Sequence, residues 1–204
     1  MISNTNPCSH GGKRLAWGHL GGTSVTGDPD SWFPELWDWL IKQFNITSMF
    51  DVGCGVGFSQ KWFHDNNIDS MGLDCEQMRA FHLIKDRFVA HDLTVESWFS
   101  GNQYSLVWCC EVAEHIKEKF SNNLIDTLAG NCGRVLAFCA ASVGAGGIHH
   151  VNCQNPPYWR EKIEKAGLVY DQSLTDQAKG LCGPTNGRGK QNYFARSGMI
   201  FLRI

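Results

Sequence analysis

From Thr47 onward, short apolar runs alternate with stretches whose apolar residues recur at three- and four-residue steps. These two periods distinguish buried strands from the helices that pack on them. The runs Ser48–Val52, Asp69–Leu73, Arg87–His91, Tyr104–Cys110 and Arg134–Ala140 read as strands. Helices are predicted near Phe58–Asn66, Cys75–Ile84 and Val112–Leu128. Alternation of this kind implies a parallel sheet with helices on both faces. Ahead of it, Phe33, Leu36, Trp37, Leu40, Ile41 and Phe44 form one helix face, widened by Trp32 and Trp39. Asp30 and Ser31 offer N-caps to that helix, and Pro34 suits its first turn.

After the fifth strand the rhythm changes. A loop over Ala141–Pro157, a helix over Tyr158–Ala166 and a strand over Leu168–Leu174 are expected. The Gly-rich stretch Gly180–Lys190 precedes a last extended segment, Tyr193–Leu202. The two late strands can pair as an antiparallel edge. Residues 1–30 read as an irregular lead-in rich in Gly, Ser, Thr and Asn. Neither a repeat nor a linker divides the chain, so residues 1–204 are expected to form a single domain.

Composition narrows the function. The 204 residues carry a net charge of −2, so no global basic field draws the chain to nucleic acid. No signal-like or membrane-length apolar run is found. Of nine cysteines, Cys109 and Cys110 are adjacent within an apolar run, and no Cys-x-x-Cys occurs. Reduced cysteines in a cytoplasmic protein are expected.

The most specific chemistry lies where the first strand ends. Asp51 runs into Gly53-Cys54-Gly55-Val56-Gly57 and then a helix. Glycines there let the backbone approach a ligand, and the helix start adds free N–H groups. The spacing is neither the dinucleotide pattern nor a Walker loop. Asp51 suggests a ligand with a positively charged part. Asp74 closes the second strand 21 positions after Gly53, the distance at which an acid accepts from ribose hydroxyls. His91-Asp92-Leu93 ends the third strand, where a carboxylate can meet an adenine edge. Three acids at consecutive strand ends mark a ligand crevice.

The segments Phe50–Gly57, Leu73-Asp74, Asp92-Leu93 and Leu106–Glu111 resemble the ordered motifs of class I S-adenosylmethionine-dependent methyltransferases. The resemblance runs from about Trp32 to the C-terminus. It implies a Rossmann-like α/β fold with a seven-stranded, mostly parallel sheet and an antiparallel last strand. It implies S-adenosyl-L-methionine as cofactor, with Gly53, Gly55 and Gly57 along its methionine part and Asp51 near its amino group. Asp74 would hold the ribose, Asp92 and Leu93 would border the adenine, and Cys110 and Glu111 would flank the methyl. Cys54 and Cys75 are counted with these cofactor contacts.

Glu111, Glu114 and His115 are spaced to share one turn of a helix. With His150 they form a candidate site for Mg²⁺ or Mn²⁺. A similar Glu-x-x-Glu-His with a distant His occurs in small-RNA 2′-O-methyltransferases, and related motifs occur in quinone-biosynthesis O-methyltransferases. Without metal, His150, His149 or His115 becomes the general base, with His150 favoured. The expected reaction is O-methylation of a small-molecule or carbohydrate hydroxyl. A nucleic-acid methyltransferase and a non-catalytic cofactor-binding protein are the alternatives. Asn155-Pro156-Pro157-Tyr158 reads like a base-methylation signature, but it follows the fifth strand instead of the fourth.

Overall fold

The computed structural model describes residues 7–8, 14–182 and 192–204, with the backbone alone at Arg14–Trp17. The Gly-rich stretch singled out at Gly180–Lys190 therefore lies, from residue 183, outside the described residues.

The main sheet has strands β3 (Ser48–Val52), β4 (Asp69–Asp74), β5 (Phe88–Ala90), β6 (Tyr104–Cys110), β7 (Cys132–Cys139), β8 (Val169–Tyr170) and β9 (Met199–Leu202). Their order is β5-β4-β3-β6-β7-β9-β8. Neighbours from β5 to β7 are parallel, and β9 runs antiparallel to both β7 and β8. This is the expected seven-stranded sheet with its antiparallel strand.

Alternation along the strands divides the core between two faces. Phe50, Val107, Leu136 and Phe138 pack with Leu124, Leu128, Trp159 and Ile163, from α3 (Ser121–Asn131) and α4 (Pro156–Lys165). Met49, Leu106, Trp108 and Ala137 pack on the other side with Leu36, Trp37, Leu40 and Phe63, from α1 (Pro34–Phe44) and α2 (Phe58–Asp65). The aromatic cluster around Trp37 is core, with Trp32 and Phe33 meeting it edge-on.

Several expectations fail for local reasons. The lead-in is not wholly irregular: β1 (Arg14–Trp17) and β2 (Leu20–Ser24) form an antiparallel hairpin. Gly18, at φ +63°, opens its two-residue turn, where a type II′ turn favours glycine. Asp28, rather than Asp30 or Ser31, supplies a cap, to the short 3-10 turn Pro29–Ser31. The helix expected over Cys75–Ile84 reduces to a 3-10 turn, Glu76–Met78, because Leu83 N–H leaves the segment to bond the Val56 carbonyl at 3.0 Å. The long helix from Val112 is instead two 3-10 turns, Ala113–His115 and Glu118–Phe120, followed by α3. The late strand stops at Tyr170 because the Asp171 side chain caps α5 (Gln172–Gly180), accepting from Leu174 N at 2.8 Å. Likewise Asn192 caps α6 (Tyr193–Ser197), so only the second half of the last segment is strand.

Candidate active site

The parallel strands all end on one edge, and there a cavity of about 610 Å³ opens. Open α/β sheets bind ligands in this crevice. The glycine loop forms its floor. Gly53 and Cys54 N–H groups both donate to the Leu73 carbonyl, at 2.8 and 3.1 Å, which ties the loop to β4. Gly55 has φ +55°, a conformation costly for other residues. Its N–H donates to Asp74 Oδ2 at 2.8 Å. Gly57, at φ +83°, begins α2, and a Cβ there would lie 2.4 Å from His82 Nε2.

The strand-end acids are placed differently from one another. Asp74 lines the cavity and also accepts from Cys75 N–H at 2.7 Å. Burial raises its carboxyl above the ordinary value, opposed by the Gly55 and Cys75 N–H groups. Asp51 is buried beneath the loop and accepts from the Ser59 hydroxyl. Burial drives its carboxyl up to about 7, against the Ser59 bond. It is Ser59 that reaches the cavity wall. Asp92 lines the cavity, accepting from Thr94 N and Oγ1 at 2.8 and 2.7 Å and meeting His19 Nε2 at 2.7 Å. Burial pushes its carboxyl up, but the His19 and Thr94 bonds outweigh this and hold it below the usual range. Gly53, Cys54, Gly55, Cys75, Leu93, Cys110 and Glu111 also line the cavity, whereas Asp51 and Gly57 stand behind its wall.

At the far end of β6 the backbone turns sharply. Glu111 is left-handed, φ +57°, a conformation uncommon for a non-glycine residue. Its N–H is fixed by the Cys139 carbonyl at 3.0 Å. Because a 3-10 turn follows, the expected helical face of Glu111, Glu114 and His115 does not exist. Glu114, His115 and His150 do come together, each with a ligand atom within 4.8 Å of the others, while Glu111 stands outside that group.

Glu114 is fully buried, and its carboxyl oxygens make no bond of good hydrogen-bond geometry, although the Glu114 and Ala141 N–H groups and the Glu111 carboxyl stand beside them. Burial raises both glutamates; the charge of Glu114 raises Glu111 further, and Arg196 opposes it. His115 Nδ1 lies 3.0 Å from the His149 carbonyl. A carbonyl only accepts, so Nδ1 carries the proton in this bond. His150 packs edge-on against His115 with centroids 5.0 Å apart, and lines the cavity. His149, at φ +61°, does not line it, and its Nδ1 is buried without a partner. A buried carboxylate beside two imidazoles fits a divalent cation by donor chemistry.

Sequence reading missed part of the wall: the β2 strand, then Asp28, Tyr193 and Arg196, together with His19, which meets the wall residue Asp92. The Gly18 turn was the one readable signal for the first group. Tyr193 and Arg196 come from a five-residue helix with no sequence signature, fixed by Phe194 stacking on Trp108.

The architecture has counterparts among solved structures. Magnesium protoporphyrin IX methyltransferase from Synechocystis PCC 6803, with bound S-adenosylhomocysteine, is 18% identical with a TM-score of 0.59, covering 88% of this chain and 91% of that one. An amino pentose methyltransferase from Micromonospora echinaspora is 13% identical with a TM-score of 0.60, covering 88% and 94%. A TehB-like methyltransferase from Corynebacterium glutamicum is 17% identical with a TM-score of 0.55, covering 84% and 88%. No family model matches the sequence, and no curated protein does. The chain has the fold of class I S-adenosylmethionine-dependent methyltransferases.

Proposed function

We propose that this chain is an S-adenosylmethionine-dependent methyltransferase acting on a hydroxyl of a small-molecule or sugar acceptor, in the cytoplasm. The observation that carries the reading is the link between Asp74 and the glycine loop. One carboxylate at a strand end both holds Gly55 N–H at 2.8 Å and faces the cavity, which is what a ribose anchor beside a methionine cradle requires. The solved neighbours support a small-molecule or sugar acceptor, since they include a sugar N-methyltransferase, an amino pentose methyltransferase and a porphyrin methyltransferase.

In this reading Gly53, Gly55 and Ser59 receive the methionine part, Asp74 the ribose, and Asp92 with Leu93 the adenine. Bound there, the cofactor would supply an electrophilic methyl group for transfer to the acceptor oxygen. The hydroxyl proton goes to Nε2 of His115. We favour His115 over His150 because its bond to the His149 carbonyl fixes the basic nitrogen, and Glu114 Oε1 lies 3.9 Å from it. That carboxyl stabilises the imidazolium as it forms.

A second reading rests on the buried Glu114 oxygens. There Glu114, His115 and His150 would hold Mg²⁺ or Mn²⁺, which would supply Lewis-acid chemistry to the acceptor oxygen. The test is methyl transfer from labelled cofactor to a panel of sugar, phenolic and RNA acceptors, with and without chelator. Transfer to a neutral hydroxyl acceptor that ignores chelator and falls about a hundredfold or more in His115→Ala supports the base. Loss on chelation, restored by Mn²⁺, selects the metal. Failure of calorimetry to detect either S-adenosylmethionine or S-adenosylhomocysteine would overturn the whole assignment.

A further inference from the structure

We propose that the β1–β2 hairpin is a flap belonging to the cofactor site, closing over the bound cofactor through His19 and Gly22 and lifting to exchange it. The inference rests on the cofactor reading above and adds residues that the sequence motifs do not contain.

The hairpin is a two-stranded sheet of its own, with no strand pairing to the seven-stranded sheet. A lone hairpin is marginally stable at best, so its position depends on what it packs against. All five residues of β2 are half-buried, and all five line the cavity. They contribute little apolar surface: Leu20 alone reaches a small cluster formed by Cys54, Val56 and Met78. The strand thus roofs a space that the cofactor would fill.

Two contacts pin this roof, at opposite ends of the cavity. At the adenosine end His19 meets Asp92 at 2.7 Å. At the chemical end Gly22, at φ +90°, lies flat on the His115 ring, where a Cβ would approach Cε1 to 2.2 Å. Between them the Thr23 methyl stands 3.9 Å from the Cβ position of Gly55, above the glycine loop. Asp92 takes two bonds from Thr94 and one from His19. A carboxylate offers about four acceptor positions, so one remains for the adenine amino group. Flap and cofactor can share Asp92 without displacing each other. A cofactor lying on the loop then supports β2 from below, and leaves only when β2 lifts.

The experiment is amide hydrogen exchange on the full chain with and without S-adenosylhomocysteine, paired with its dissociation rate by stopped flow. Bound ligand should slow exchange across Leu20–Ser24 by about tenfold or more. His19→Ala, which removes an exposed contact, should speed dissociation by about two- to fivefold without changing the melting temperature. Gly22→Ala, which strains the β2 backbone at its positive φ and pushes on His115, should speed it further. If the ligand binds by calorimetry but β2 exchange is unaltered, or His19→Ala releases ligand at the parental rate, the flap is wrong and the cofactor site stands. If no binding is detected, both fall together.

Discussion

Replacing Asp74 by Asn separates the ligand role of this carboxylate from its structural one. Its two oxygens take separate backbone donors, Gly55 N–H at 2.8 Å and Cys75 N–H at 2.7 Å. The amide keeps one acceptor and turns an NH₂ toward the other donor, losing a bond to a charged acceptor of about 1.5–3 kcal/mol. Burial already holds the carboxyl above its ordinary value, so the ionised side chain carries a desolvation cost that the amide removes. The net loss of stability should be about 1 kcal/mol, or roughly 2–4 °C in Tm for a chain of this length. Cofactor binding should suffer more. Two ribose hydroxyls can donate to a carboxylate and only one to the amide oxygen, a loss of about 1.4 kcal/mol or tenfold in Kd. Calorimetry with S-adenosylhomocysteine gives the second number and a ligand-free thermal melt gives the first. A Kd within about twofold of the parent, together with a Tm drop beyond about 10 °C, would refute the reasoning and make Asp74 a brace for the loop.

Stability should decline as pH rises above 6.5. The carboxyls of Asp51, Glu111 and Glu114 are all raised in the fold, Asp51 to about 7, so the native state binds more protons. Their contribution is present at low pH and lost as pH climbs through the folded values. Burial lowers His82 from its ordinary 6.5, so its penalty acts only below that value. Urea midpoints at pH 6.5 and 8 should show the decline, and Glu111→Gln should flatten it; a midpoint rising with pH would contradict the assigned burial. Gly57→Ala should destabilise by about 2 kcal/mol or more, since a left-handed φ and contact with His82 combine, and a denaturation midpoint equal to the parent would refute this. Mn²⁺ should raise the Tm of the parent but not of Glu114→Gln if the second reading holds, and equal shifts in both would remove Glu114 as a ligand.

Where physical signals were local, the sequence was legible. The β3 and β6 runs are buried on both faces, so their apolar character survives without reference to any partner. The glycine loop was readable because each glycine meets a backbone demand that other residues fulfil poorly. The failures involve competition from further away. Cys75–Ile84 has helix-like spacing, but Val56 draws the backbone of Leu83 into another bond. Val169–Tyr170 is stopped by a cap one residue later. Asp51 reads as a ligand contact because strand-end acids so often are, yet Ser59 on the next helix takes its carboxylate and stands in the cavity instead. The hairpin had no periodic apolar face to announce it.

The reaction centre shows how a spacing can be right for the wrong reason. The spacing predicts Glu111, Glu114 and His115 on one face of a helix, and that helix does not form. The left-handed turn at Glu111 and the 3-10 turn after it swing Glu114 inward and split Glu111 from the group. What brings Glu114, His115 and His150 together is instead a loop-to-loop tie. The N–H groups of Val151 and Asn152 both donate to the Glu114 carbonyl, at 2.8 and 3.0 Å, and His115 Nδ1 donates to the His149 carbonyl. Three bonds thus clamp the β7–α4 loop onto the turn after β6. The bonded residues lie 34 to 38 positions apart along the chain, beyond the reach of any local periodicity. The same clamp bears on His149 and His150. With the His149 carbonyl held by His115 and its backbone left-handed, His150 is the one of the pair that faces the cavity. The chemistry of this centre follows from the clamp, whether the imidazoles serve a proton or a cation.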